Sequence, residues 1–162
     1  MRGFTLVELI LVTCIISILA SMAIPRLADT LARYHAEAAA RRVANDLNLA
    51  QRLARLSSAA RQVSFNVTAS SYRLIGVADL DHPTAEYQVR LGEQPYEVQL
   101  VSAAFDKKSQ ISFDGYGIPS SGGDVVIETG GYQATITVDA ASGQASWQTT
   151  VVLAAKKEIK GK

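Results

Sequence analysis

The sequence predicts an α+β fold in which one long N-terminal helix packs on an antiparallel β domain of about eight short strands. Three observations predict it. Residues 4–24 form an apolar run of 21 residues with one charge, Glu8. From there to about residue 61, apolar side chains recur at helical spacing and no Gly interrupts them. Beyond residue 61 the period falls to two, and turn-forming clusters separate short runs rich in Val, Ile, Tyr and Phe.

As a helix, residues 4–24 would reach roughly 32 Å, enough to cross the hydrocarbon core of a bilayer. A cleaved secretory signal has a shorter apolar region, about 7–15 residues, that ends in a small-residue cleavage site. Here Ser17, Ala20, Ser21 and Ala23 are small, but the run continues to Pro25 without a polar break, and only Met1, Arg2 and Gly3 precede it. A retained membrane span is the better reading. Thr13, Ser17, Ala20, Ser21 and Ala23 would let helices approach closely, or they are filler in a span.

The second part of the helix, residues 25–61, is rich in Ala, Leu and Arg. Leu27, Leu31, Tyr34, Ala38, Val43, Leu47, Ala50 and Leu53 follow the spacing of an amphipathic face, expected to rest on one sheet, with most arginines on the other side. Pro25 has no N–H to donate and is expected to kink the helix where the two parts join.

The strands are expected at 62–67, 72–77, 87–91, 96–101, 110–113, 125–128, 132–138 and 145–148. Between them lie clusters such as Asp79-Leu-Asp-His-Pro83, Gly92-Glu-Gln-Pro95, Asp114-Gly-Tyr-Gly117 and Gly130-Gly131, whose residue types favour turns.

The net charge of +1 conceals an uneven distribution. Residues 26–61 carry seven Arg against three acids, residues 62–150 carry four basic against ten acidic side chains, and residues 151–162 carry four Lys against Glu158. A basic stalk, an acidic body and a basic tail bear on partners, not on fold. Cys14 is the only cysteine, which excludes an intramolecular disulfide and a Cys-based metal site; among apolar neighbours it reads as a small buried hydrophobe.

The stretch Gly3-Phe4-Thr5-Leu6-Val7-Glu8-Leu9 resembles the start of type IV pilins and type II secretion pseudopilins. The resemblance implies that a prepilin peptidase cuts after Gly3 on the cytoplasmic face and methylates the new amine of Phe4. Gly3 leaves room at the scissile bond. Glu8 is an ionisable group inside a membrane segment, which is costly and marks a paired position. One helical turn separates it from the Phe4 amine, and it could equally accept the amine of an incoming subunit and so set the register between helices. Pro25 falls where pilins carry a helix-distorting proline.

The run Ile111-Ser-Phe-Asp-Gly-Tyr-Gly-Ile-Pro119 followed by Ser-Ser-Gly-Gly resembles the F-D-G-x-G-x-P hairpin of the GspH/FimT group of minor pseudopilins and pilins. Residues 132–144 resemble that group's closing hairpin. Asp114 and Gly115 read as a tight turn, not as catalytic residues. The resemblance implies a leader at 1–3, a transmembrane helix at 4–24, a stalk helix at 25–61, a GspH/FimT-like β domain at 62–150 and a basic tail at 151–162. It implies a subunit of a type II secretion pseudopilus, anchored in the bacterial inner membrane with its C-terminal domain in the periplasm. The implied partners are other pilin or pseudopilin subunits, the prepilin peptidase, an inner-membrane assembly platform and membrane lipid. The alternative is a FimT-like minor pilin of type IV pili that binds DNA for uptake, with Lys156, Lys157, Lys160 and Lys162 as weak phosphate contacts. The acidic β domain argues against it, and a short Lys-rich tail is ordinarily a solvated terminus.

No catalytic constellation and no cofactor-binding motif stands out. His35 and His82 are 47 residues apart and lack any HExxH, GxSxG, P-loop or CxxC context; both are expected to be solvated. Asp79, Asp81 and Glu86 suggest a Ca²⁺ loop only loosely, because the twelfth position counted from Asp79 is Arg90 instead of Glu. No metal site is expected.

Overall fold

The computed structural model describes residues 5–79 and 85–152, with residues 22–25 as backbone alone. Helix α1 (Leu6–Ser57) takes up 52 residues and continues across the position of Pro25. At 1.5 Å per residue it is on the order of 80 Å long. Thr5 caps it: its backbone is extended and its hydroxyl accepts the Glu8 N–H at 3.2 Å. Ser58 ends it in the left-handed conformation, φ 47°, with its N–H turned back onto the carbonyls of Ala54 and Arg55. The helix therefore stops at Ser57 rather than at 61, and Arg61 opens the first strand.

Eight strands follow among the described residues: β1 (Arg61–Asn66), β2 (Ser71–Ala78), β3 (Glu86–Arg90), β4 (Gln99–Phe105), β5 (Gln110–Phe113), β6 (Gly123–Thr129), β7 (Tyr132–Val138) and β8 (Ala145–Val151). They form two four-stranded sheets, ordered β3-β2-β1-β5 and β4-β6-β7-β8, with every pairing antiparallel. Seven of the eight expected strands fall on these elements within a few residues. The fourth was placed too early, at 96–101. Tyr96 and Glu97 instead belong to a turn in which both N–H groups bond the Glu93 carbonyl at 3.1 Å, with Glu97 at φ 52°. A strand cannot begin until that turn is complete.

Alternation along the strands builds the core. Val63 and Phe65 of β1, Tyr72 and Leu74 of β2, Val125 and Ile127 of β6, and Ala134, Ile136 and Val138 of β7 all point inward. Phe65 stacks against Phe105 of β4 at 5.8 Å and so joins the two sheets.

The helix covers both sheets, not one. It packs on β6, β7 and β8 of one and on β1 and β5 of the other. Its buried stripe is Ala36, Ala39, Ala40, Val43, Ala44, Leu47, Ala50 and Ala54. Alanine at six of these eight positions brings the helix axis close to two sheets at once. Of the expected apolar face, Val43, Leu47 and Ala50 are buried, Ala38 and Leu53 are half-buried, and Leu27, Leu31 and Tyr34 are 70%, 53% and 71% exposed. Leu31 and Tyr34 flank Ala32, which already meets Gly130 of the β6–β7 turn, so they are exposed because they lie on other sides of the helix, and Leu27 lies a further turn toward the N-terminus.

Candidate functional site

The apolar N-terminal stretch of α1 carries the features that bear on assembly, and its described side chains stand clear of the β domain. The helix is long and apolar enough to cross a membrane, and none of its most apolar stretch is buried within the chain. Leu6, Val7, Leu9, Ile10, Leu11, Ile15, Ile16, Ile18 and Leu19 are all exposed. Glu8 lies in the first turn, where the unpaired N–H groups of a helix favour negative charge. Gly3 and Phe4 lie outside the described residues. Hydroxyls in this segment are satisfied locally: Thr13 donates to the Leu9 and Ile10 carbonyls at 3.1 and 2.9 Å, Ser17 to Thr13 at 2.7 Å and Ser21 to Ile18 at 2.7 Å. They therefore enter an apolar medium without an unpaired donor. Cys14, expected as a buried apolar side chain, is exposed, because no other described part of the chain packs on this half of the helix.

Lower on α1, a buried carboxylate fixes the helix to the first sheet. Asp46 is 5% exposed and accepts the Tyr72 hydroxyl at 2.6 Å, the Tyr87 hydroxyl at 2.9 Å and the Arg42 Nε–H at 3.1 Å. Arg42 also donates to the Tyr87 hydroxyl oxygen and lies over its ring at 5.8 Å. Burial, reinforced by the Asp46 charge, pushes the Tyr87 phenol up to about 12 and the Tyr72 phenol well above its ordinary range. Burial works against the Arg42 charge, and the Asp46 carboxylate overrides it, so the guanidinium is raised. The sequence reading missed this group. The available signal was a lone Asp beside the apolar stripe Val43–Leu47, four residues after an Arg.

Three more α1 side chains hold the loops that carry the family-like motifs and the start of β8. Asn48 exchanges two hydrogen bonds with the backbone of Ala145, donating to its carbonyl at 3.2 Å and accepting its N–H at 3.0 Å. Gln51 donates to the Gly117 and Ser142 carbonyls at 2.8 and 2.6 Å, and Arg55 Nε donates to the Tyr116 carbonyl at 3.1 Å. The Asp114 turn is as expected: its Oδ1 accepts the N–H groups of Tyr116 and Ile118 at 2.9 and 2.8 Å. Asp139 repeats the device, accepting from Ala141 and Ser142; the Ser142 N–H chiefly holds its carboxyl below the usual range. Gly117 and Gly143 both have positive φ, 76° and 70°. A Cβ there would lie 2.3 Å from Arg55 Nε and 2.5 Å from Gln51 Nε2 respectively. The motif glycines thus admit the helix side chains that grip them.

His35, expected to be solvated, is mostly covered and lies 3.8 Å from Glu97, because the Glu93–Glu97 turn folds against this turn of α1. Among the described residues no three His, Cys, Asp or Glu side chains come together as metal ligands. Asp81, His82 and the lysines of the tail lie outside the described residues.

The sequence model of the family described as type II transport protein GspH matches residues 39–143. No curated protein sequence matches the chain. Two solved structures share the fold. The type IV minor pilin FimU of Pseudomonas aeruginosa aligns with a TM-score of 0.50 at 13% identity, covering 74% of this chain and 89% of that one. The minor pseudopilin EpsH from the type 2 secretion system of Vibrio cholerae aligns with a TM-score of 0.50 at 15% identity, covering 72% and 97%. The matched segment holds the Asp46 cluster, both gripped loops and seven of the eight strands whole: this chain belongs to the GspH family, a pilin-like structural subunit built on a long N-terminal helix.

Proposed function

We propose that the protein is a minor pseudopilin of a type II secretion pseudopilus, drawn from the inner membrane after a prepilin peptidase cuts behind Gly3 and methylates Phe4. The carrying observation is the division of α1, with a bare apolar half that begins at a heptapeptide of prepilin type and a half sealed into a GspH-family β domain. A bare apolar helix needs lipid before assembly and other helices after it, so the same surface serves both states. Glu8, the one charge in that half, supplies a carboxylate to a free amine, its own or that of an incoming subunit, and sets the axial register. Pro25 marks the junction where the helix leaves the bilayer, and the β domain then stands in the periplasm on the part of α1 that follows it.

The test is Glu8→Ala in the full chain, expressed with its secretion or pilus machinery. Loss of the chain from sheared filaments, with its membrane level unchanged, is the expected result. Unchanged incorporation would refute the role of Glu8. Mass spectrometry of the N-terminus checks cleavage and methylation directly.

A further inference from the structure

We infer that the outer edge of β8 receives an extended, acidic segment of a different filament subunit, which joins the second sheet as a fifth strand. The source of the segment rests on the filament-subunit reading; the site rests on the strand's own hydrogen bonding. In an antiparallel strand, the N–H and C=O of each residue point to one side and those of the next to the other. The Val152 N–H bonds the Gly131 carbonyl at 2.9 Å, so even-numbered residues turn toward β7. Ala145 gives the same parity from the opposite side: Asn48 of α1 takes both its N–H and its C=O, as a neighbouring strand would. The N–H and C=O of Trp147, Thr149 and Val151 face outward with those of Ala145, and no described strand pairs with them, because β8 ends its sheet.

Sheet edges are ordinarily blunted by charge, proline, a bulge or shortness. Of the other edge strands, β3 carries Glu86 and Arg90, β5 is four residues long and β4 shifts register against β6 between Leu100 and Ser102. The seven residues of β8 hold no charge and no proline, and they pair with β7 without a break. A groove of about 410 Å³ lies between this edge and α1, lined by Arg33 and Glu37 on one side and by Trp147, Thr149 and Thr150 on the other. Thr149 and Thr150 point to opposite faces of the sheet, so the strand edge itself forms that wall. The Thr149 hydroxyl oxygen is buried and has no hydrogen-bond partner among the described residues.

Charge sets the chemistry of the occupant. Arg33 is answered by Glu37 at 2.8 Å, whereas Arg41 lies over the Trp147 ring at 5.8 Å and has no carboxylate partner among the described residues. A strand laid along the groove therefore meets an unanswered cation beside Trp147, and an Asp or Glu there answers it. β8 holds no carboxylate, so the β8 of a second copy cannot supply one. Two β8 edges would also pair antiparallel only with one copy inverted, and a shared membrane holds copies the same way up. Arg33 and Glu37 carry the groove to the bare Leu31 and Tyr34 of α1, where the filament reading places the helices of neighbouring subunits. An unlike subunit packed there is placed to lend the strand, and the contact joins one minor subunit to one neighbour.

The experiment uses the full-length chain in membranes together with its filament machinery. Gln148, exposed beside the edge, is replaced by photoreactive benzoylphenylalanine. Irradiation should join it to a pilin-type subunit of different sequence, at a segment that mass spectrometry shows to carry Asp or Glu. Thr149→Pro removes an outward N–H and Thr150→Pro an inward one, so the first should melt within a few degrees of the parent and the second well below it. Thr149→Pro should cut the adduct about fivefold. Arg41→Glu, which alters an exposed side chain and leaves the fold intact, should do the same. An adduct insensitive to either change, an adduct with a second copy or with a secreted protein, or no adduct would each overturn the inference. Recovery of the chain in sheared filaments scores the filament reading separately. A chain recovered there without the adduct refutes only the contact, and the adduct in membranes without recovery refutes only the reading.

Discussion

Replacing Asp46 with Ala would leave two buried tyrosine hydroxyls and the Arg42 guanidinium without their shared acceptor. A buried charge stripped of its partner costs about 3–5 kcal/mol, and the partial exposure of Arg42 places this case near the lower end. Thermal unfolding of the full chain in detergent should show the loss, with Asp46→Asn milder because the amide oxygen still accepts. The same group sets an alkaline limit. Tyr72 and Tyr87 hold their protons more tightly folded than unfolded, where a phenol titrates near pH 10. The contribution of Tyr87 is therefore complete below about pH 10 and is lost as the pH rises through about 12, and that of Tyr72 is lost in the same direction. Tyrosinate absorbance should show two of the six tyrosines ionising together with the loss of structure; all six ionising while the fold persists would contradict the assignment. Asp114 was legible in the sequence because its partners are two and four residues away. Asp46 was not, because its tyrosines come from strands 26 and 41 residues further on.

The elements follow the same division between local and distant causes. Alternation located the strands because side-chain period is a local property. Strand β4 slipped because its start depends on a turn closed by the Glu93 carbonyl, and the residues Tyr96-Glu97-Val98 alternate just as a strand would. The alanine stripe of α1 was hidden by bulk: Leu27, Leu31 and Tyr34 looked more core-like than Ala36, Ala39 and Ala40, yet close approach selects the smaller side chains. Gly117→Ala tests how tightly the helix grips its loops. The substitution strains a left-handed backbone and pushes on Arg55, and it should cost about 1–3 kcal/mol by denaturant titration. Arg55→Ala should relieve the crowding part of that cost and leave the strain, so the two changes should combine to less than their sum.

At the scale of the whole molecule, stability and assembly use different stretches of one helix. Leu31→Ser alters a side chain that touches no strand, so it should move the unfolding free energy by no more than about 0.5 kcal/mol. It should still lower recovery of the chain in filaments, since Leu27, Leu31 and Tyr34 are bare in the single copy. Equal recovery of mutant and parent would show that these side chains stay in solvent after assembly. The sequence showed both stretches as helix but could not mark the boundary between them, which is set by where the β domain ends.

The bonds from Asn48, Gln51 and Arg55 to the loops also decide how the protein bears load. They are spread along two turns of α1, and each joins helix to loop sideways rather than end to end. A pull on the bare half of α1 along its axis therefore loads them in parallel, as shear, together with the buried alanine stripe. No single bond can be peeled first. The β domain and its helix would move as one stiff piece under axial force, and extraction of the helix would require all of these contacts to fail at once.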